Sequence, residues 1–123
     1  MKARRADAKI ALSEIANLQE RFFAEKSTYS NSLSDNTADS CTSIVYRSGT
    51  SSPEGNYTLV INTSAAPTFD TSGGNCDVTA AVTDFSIVAT AAGAQAEDND
   101  CTSFTLNSLG VKSASPDPDS KCW

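Results

Sequence analysis

The chain has 123 residues, 39% of them hydrophobic and 20% charged, with nine Lys/Arg against fifteen Asp/Glu. These totals fit one folded domain around one core and exclude a disordered chain. Histidine is absent, which removes Ser-His-Asp and Cys-His catalysis and any Cys/His zinc site.

Charge is distributed unevenly. Residues 1–26 carry six bases (Lys2, Arg4, Arg5, Lys9, Arg21, Lys26) and four acids (Asp7, Glu14, Glu20, Glu25), a net of +2. The remainder carries three bases and eleven acids, a net of −8. An acidic body argues against a general nucleic-acid binder, which needs a basic footprint to displace counterions. It leaves a local contact with nucleic acid an open question. It suits a basic stem that meets a neighbour's acidic head, or simply a solvated surface. No apolar run approaches the roughly 20 residues needed to cross a bilayer.

Residues 3–26 read as one amphipathic helix. Ala8, Ala11, Leu12, Ile15, Leu18, Gln19 and Phe22 recur at three- and four-residue steps along one face, and neither Gly nor Pro interrupts them. Residues 27–56 show no sustained period and read as a long connection, with a short apolar patch at Ile44, Val45 and Tyr46. Strands are expected across 57–113, after the turn Pro53-Glu54-Gly55-Asn56. Tyr57, Leu59 and Ile61 alternate with Thr58, Val60 and Asn62. Ser72-Gly73-Gly74-Asn75 reads as a turn. A second strand runs from about Asp84 to Thr90, with Phe85, Ile87 and Ala89 on one face, and a third from Thr102 to Asn107. A hairpin loop with Gly110 in the left-handed region leads to a short fourth strand, Val111 to Ser113. The stretch Ser115-Pro116-Asp117-Pro118-Asp119 reads as an exposed loop that cannot continue a sheet. A helix followed by antiparallel strands gives an α+β fold, with the helix packed on a four-stranded antiparallel sheet in a single domain.

Cysteines stand at Cys41, Cys76, Cys101 and Cys122. Their wide spacing reads as two disulfides formed in an oxidising compartment. Four cysteines permit three pairings; nearest order favours Cys41–Cys76 and Cys101–Cys122.

The run KARRADAKIALSEIANLQERFFAEKSTYS, Lys2 to Ser30, resembles the second half of the long first helix of type IV pilins, especially the PilE-like branch of type IVa. YTLVIN (Tyr57–Asn62), FSIVAT, AQAEDNDCTSFTLNSLGVKS and the final CW are similar to that branch's sheet and disulfide-closed tail, in the family's order. The resemblance implies a pilin fold and a structural role in a type IV pilus. It implies adhesion, twitching motility or DNA uptake through the assembled fibre, or a minor pilin or pseudopilin that primes assembly or sits at the tip. It implies other pilin subunits as partners and an extracellular filament anchored beforehand in the inner membrane. In the family an apolar half-helix precedes the RRADAK-like segment, and the expectation is that it has been removed from this chain. No cofactor, metal, small-molecule substrate or catalytic residue is implied. Cys101 and Cys122 match the pair that closes the family's C-terminal variable region, here residues 101–122. Cys41 and Cys76 depart from the commonest pattern of one disulfide.

Arg4, Arg5 and Lys9 form a basic patch at the helix start. They are candidates for contact with a neighbouring subunit's acidic surface or with lipid head groups. Phe22, Phe23 and Tyr29 read as packing groups, and Trp123 as a plug against the disulfide. Glu97, Asp98, Asn99 and Asp100 lack the ligand spacing of a calcium loop and read as a solvated turn. A monomeric secreted binding domain using its loops is the rival from another class.

Overall fold

The computed structural model describes residues 4–34, 43–70, 72–74, 76–116 and 122–123. Helix α1 spans Arg5–Lys26. It starts without a side-chain cap on Arg4 and ends at Ser27, whose N–H donates to the Phe23 carbonyl at 2.7 Å. Among the described residues, eight strands follow: β1 Ser32–Ser34, β2 Ser43–Val45, β3 Tyr57–Asn62, β4 Thr68–Asp70, β5 Asp77–Ala80, β6 Ser86–Ala91, β7 Cys101–Asn107 and β8 Lys112–Pro116. Strands β3, β6, β7 and β8 form, in that order, a four-stranded antiparallel sheet. The fold is α+β.

The apolar stripe of α1 lies on this sheet. Ala8, Ala11, Leu12 and Ile15 are fully buried and Phe22 nearly so, in one core with Leu59, Ile61, Ile87, Ala89, Phe104 and Leu106. The period-2 alternation of β3 explains its half of this packing. Tyr57, Leu59 and Ile61 are buried while Thr58, Val60 and Asn62 are exposed. Loss of any one of the large aliphatic side chains would cost about 2–5 kcal/mol.

The structure adds two strand pairs to the sequence reading and corrects one expectation. Within the connection between α1 and β3, β1 and β2 pair in parallel, Ser32 opposite Ser43 and Ser34 opposite Val45. Strands β4 and β5 make a second small antiparallel pair around the Ser72–Gly74 turn, where only a turn was expected. With three and four residues, such strands are too short to show a period. Finally, β8 runs through Pro116, which stands opposite Cys101. An edge strand can accept proline because its outward N–H is not needed by a ladder.

Candidate functional site

The first turn of α1 is tied to two different loops by buried polar side chains. Arg5 grips Asp98 with two parallel bonds, Nε to Oδ2 at 2.7 Å and Nη2 to Oδ1 at 2.8 Å. Gln95 completes the group, its Nε2 donating to Asp98 Oδ2 at 3.1 Å and to the Tyr57 hydroxyl at 3.0 Å. Asp98 and Gln95 sit on the short helical turn Gly93–Glu97 and its end, which links β6 to β7. The hydrogen bonds from Arg5 hold the Asp98 carboxyl below the usual carboxylate range, against the opposing effect of burial. The same bonds push the Arg5 guanidinium up. Burial raises the Tyr57 phenol.

Two residues further on, Asp7 holds the turn before β3. Its carboxylate accepts from the Ser52 hydroxyl, from Glu54 N–H at 3.0 Å and from Asn56 N–H at 3.3 Å. Ser52 Oγ in turn accepts from Tyr57 N–H at 3.0 Å. An acid in the first turn also complements the helix dipole.

This geometry corrects two readings. Arg5 is buried with its guanidinium spent inside the molecule, so it leaves the basic patch; Arg4 is exposed and Lys9 half-buried. Asp98 is buried too, so the Glu97–Asp100 segment is not wholly solvated. The physical reason is shared: each charge has the other as its partner, and a bidentate Arg–carboxylate bond offsets the desolvation.

At the C-terminal end, Cys101 and Cys122 are joined by a disulfide, with Cα atoms 5.8 Å apart and both residues buried. Trp123 stands beside it, edge-on to Phe104 with centroids 5.6 Å apart. Its indole N–H donates to Ser113 O at 2.7 Å, and Lys112 Nζ lies 5.3 Å from its ring centre. Cys76 is disulfide-bonded; the pairing expected for it involves Cys41, which lies outside the described residues.

Along the middle of α1, Glu14 accepts from Tyr46 Oη and Arg47 Nη2, both at 2.8 Å. Burial, then the bond to Glu14, pushes the Tyr46 phenol up to about 12. Asn17, Leu18, Arg21 and Val45 extend this contact into a shallow groove. Among the described residues, no group of three His, Cys, Asp or Glu side chains could hold a metal, and no helix is long and apolar enough to cross a membrane.

One long helix clamped along a four-stranded antiparallel sheet, with a disulfide closing the last strands, makes this a type IV pilin. The chain belongs to the family described as type IV minor pilin ComP, DNA uptake sequence receptor, whose model matches residues 1–105. Among solved structures it is similar to a type IV pilin from Shewanella oneidensis, with a TM-score of 0.55 and 20% identity over 99% of this chain and 96% of that one. At that identity the likeness speaks for the fold. No curated protein matches the chain.

Proposed function

We propose that this chain is a minor pilin, a sparse subunit of an extracellular type IV pilus that serves DNA uptake through the assembled fibre. The family's own description as a minor pilin and DNA uptake sequence receptor supports the reading. The observation that carries it is the two-sidedness of α1. One face is spent on the sheet; the other presents Ala6, Ile10, Ser13 and Asn17, all exposed, with Ile10 at 51%. Small residues around one exposed Ile let a neighbouring helix approach closely. Arg4 and Lys9 border that face and are available to a neighbour's acidic surface or to lipid head groups, as a membrane-held precursor would require. A contact of this kind repeats without closing and so builds a fibre.

Nucleic acid would meet an acidic body, so a DNA contact on this chain rests on few cations and shows a shallow salt dependence. The test is a clean deletion of the gene in its own host. Pilus number, uptake of selectable DNA and the abundance of the protein in sheared pili are measured together. A minor pilin gives persistent pili, a loss of uptake of at least tenfold and a scarce band. Loss of all filaments with a dominant band would instead make it the main building block. No change in either pili or uptake would point to a secreted binding domain.

A further inference from the structure

The sheet end farthest from the helix start holds a groove of 380 Å³, within the range of about 300–1,000 Å³ common to small-ligand sites. We propose that this groove binds a neutral saccharide, gripping one hexose ring by a pair of adjacent hydroxyls.

Its apolar parts are fixed in place. Phe85 underlies the groove, buried and packed on Tyr29 with ring centroids 4.8 Å apart. Leu109 forms a lip and is 85% exposed, more than any other large hydrophobic side chain described. The loop that carries it is closed on itself. Asn107 Oδ1 accepts from the N–H groups of both Leu109 and Val111 at 2.9 Å, and Ser108 N–H donates to Phe85 O at 2.9 Å. Gly110, at φ +80°, supplies the backbone turn that a side chain would oppose. A leucine held rigidly outward offers an apolar surface that the chain itself does not cover.

Polar residues line the same space. Asn107 Oδ1 accepts from two backbone donors, which orients its amide, and among the described residues no hydrogen bond occupies its two N–H donors. Asp84 Oδ1 accepts from Ser64 Oγ at 2.7 Å, which leaves Oδ2 as an acceptor. Asn62 adds a second amide at the same edge. Adjacent sugar hydroxyls each donate and accept, so a fixed acceptor beside fixed donors matches them, while the C–H face of the ring rests on Leu109. Charge narrows the class further. Among the described residues that line the groove, Asp84 is the one charged side chain, so an anion such as phosphate is disfavoured there.

The test is a two-dimensional amide NMR titration of the chain with the methyl glycosides of glucose, galactose and mannose, and separately with a DNA duplex. At least one glycoside should shift the amides of Asn62, Ser108 and Leu109 saturably. Asp84→Ala and Leu109→Ser, both at exposed positions, should each weaken that binding about tenfold while leaving the rest of the spectrum in place. No shift with any glycoside overturns the proposal. So do equal affinities in both variants, or the same amides responding to the duplex instead.

Discussion

The helix is fastened to the sheet in two different ways at its two ends. Near Arg5 the fastening is ionic: a bidentate Arg5–Asp98 pair and a carboxylate, Asp7, that holds a turn. Near Gln19 it is neutral. The Gln19 amide donates to Ser30 O at 2.7 Å and accepts from Ser30 N–H at 2.9 Å, while Thr28 Oγ1 accepts from Val82 N–H at 2.7 Å. Aromatic packing surrounds this end, with Phe23 on Tyr29 at 4.7 Å and Tyr29 on Phe85 at 4.8 Å. Both ends satisfy buried polar groups, but the first does so with a buried ion pair, and the second with an amide, backbone groups and a Tyr29 hydroxyl that donates to the exposed Glu20 carboxylate at 3.0 Å. The two fastenings should therefore fail under different conditions.

Breaking the ionic end should have the largest effect. Asp98→Ala leaves a buried guanidinium without its carboxylate and should cost about 3–5 kcal/mol in urea unfolding. Arg5→Met with Asp98→Leu removes both charges together and should lie within about 1 kcal/mol of the parent. If the double variant is as damaged as the single one, packing rather than charge holds this end.

Acid should then separate the ends without mutation. The folded Asp98 carboxyl lies below its ordinary value. Its contribution is fully present above the usual carboxylate range and is lost as pH falls through the lowered folded value. Glu14, lowered first by its bond to Arg47, acts in the same direction, but that pair is largely exposed and worth little. Thermal melts from neutral to acid pH should show a steeper decline for the parent than for the Arg5→Met/Asp98→Leu variant. Parallel curves would remove Asp98 from the account. Alkali would not discriminate, since Tyr57 at one end and Tyr29 at the other are both raised by burial.

At the neutral end, Gln19→Ala removes two hydrogen bonds to the Ser30 backbone and should cost about 1–3 kcal/mol. The loss should be the same at neutral and acid pH, because neither amide nor backbone titrates there. A pH-dependent loss would mean the two ends are coupled.

These two fastenings were unequally legible in the sequence. Gln19 stands on the apolar stripe, so its burial follows from periodicity, although its partner Ser30 does not. Arg5 also lies within the helix, but its partner is 93 residues away. Nothing local marks Asp98 as different from Glu97 and Asp100 beside it, and acidic runs are usually solvated. The core strands were legible because six residues show the alternation of β3. The paired strands of three or four residues were not. Pro116 misled because a proline argues against a central strand, whereas β8 lies at the sheet edge.

The smallest expected effect sharpens the comparison at the residue that caps the helix's C-terminal end. Ser27 sits at φ 60°, ψ 25°, the left-handed region, where a Cβ crowds the following carbonyl. Helices commonly close this way on glycine, and the bond that closes this one, Ser27 N–H to Phe23 O, uses backbone alone. Ser27→Gly keeps that bond and removes the crowding, at the expense of a freer unfolded chain. The balance should favour the variant by about 0.5 kcal/mol, a rise in Tm of roughly 2 °C. A lower Tm would mean that the neutral end tolerates its left-handed serine without strain, and that the aromatic packing around Tyr29 already fixes where the chain turns.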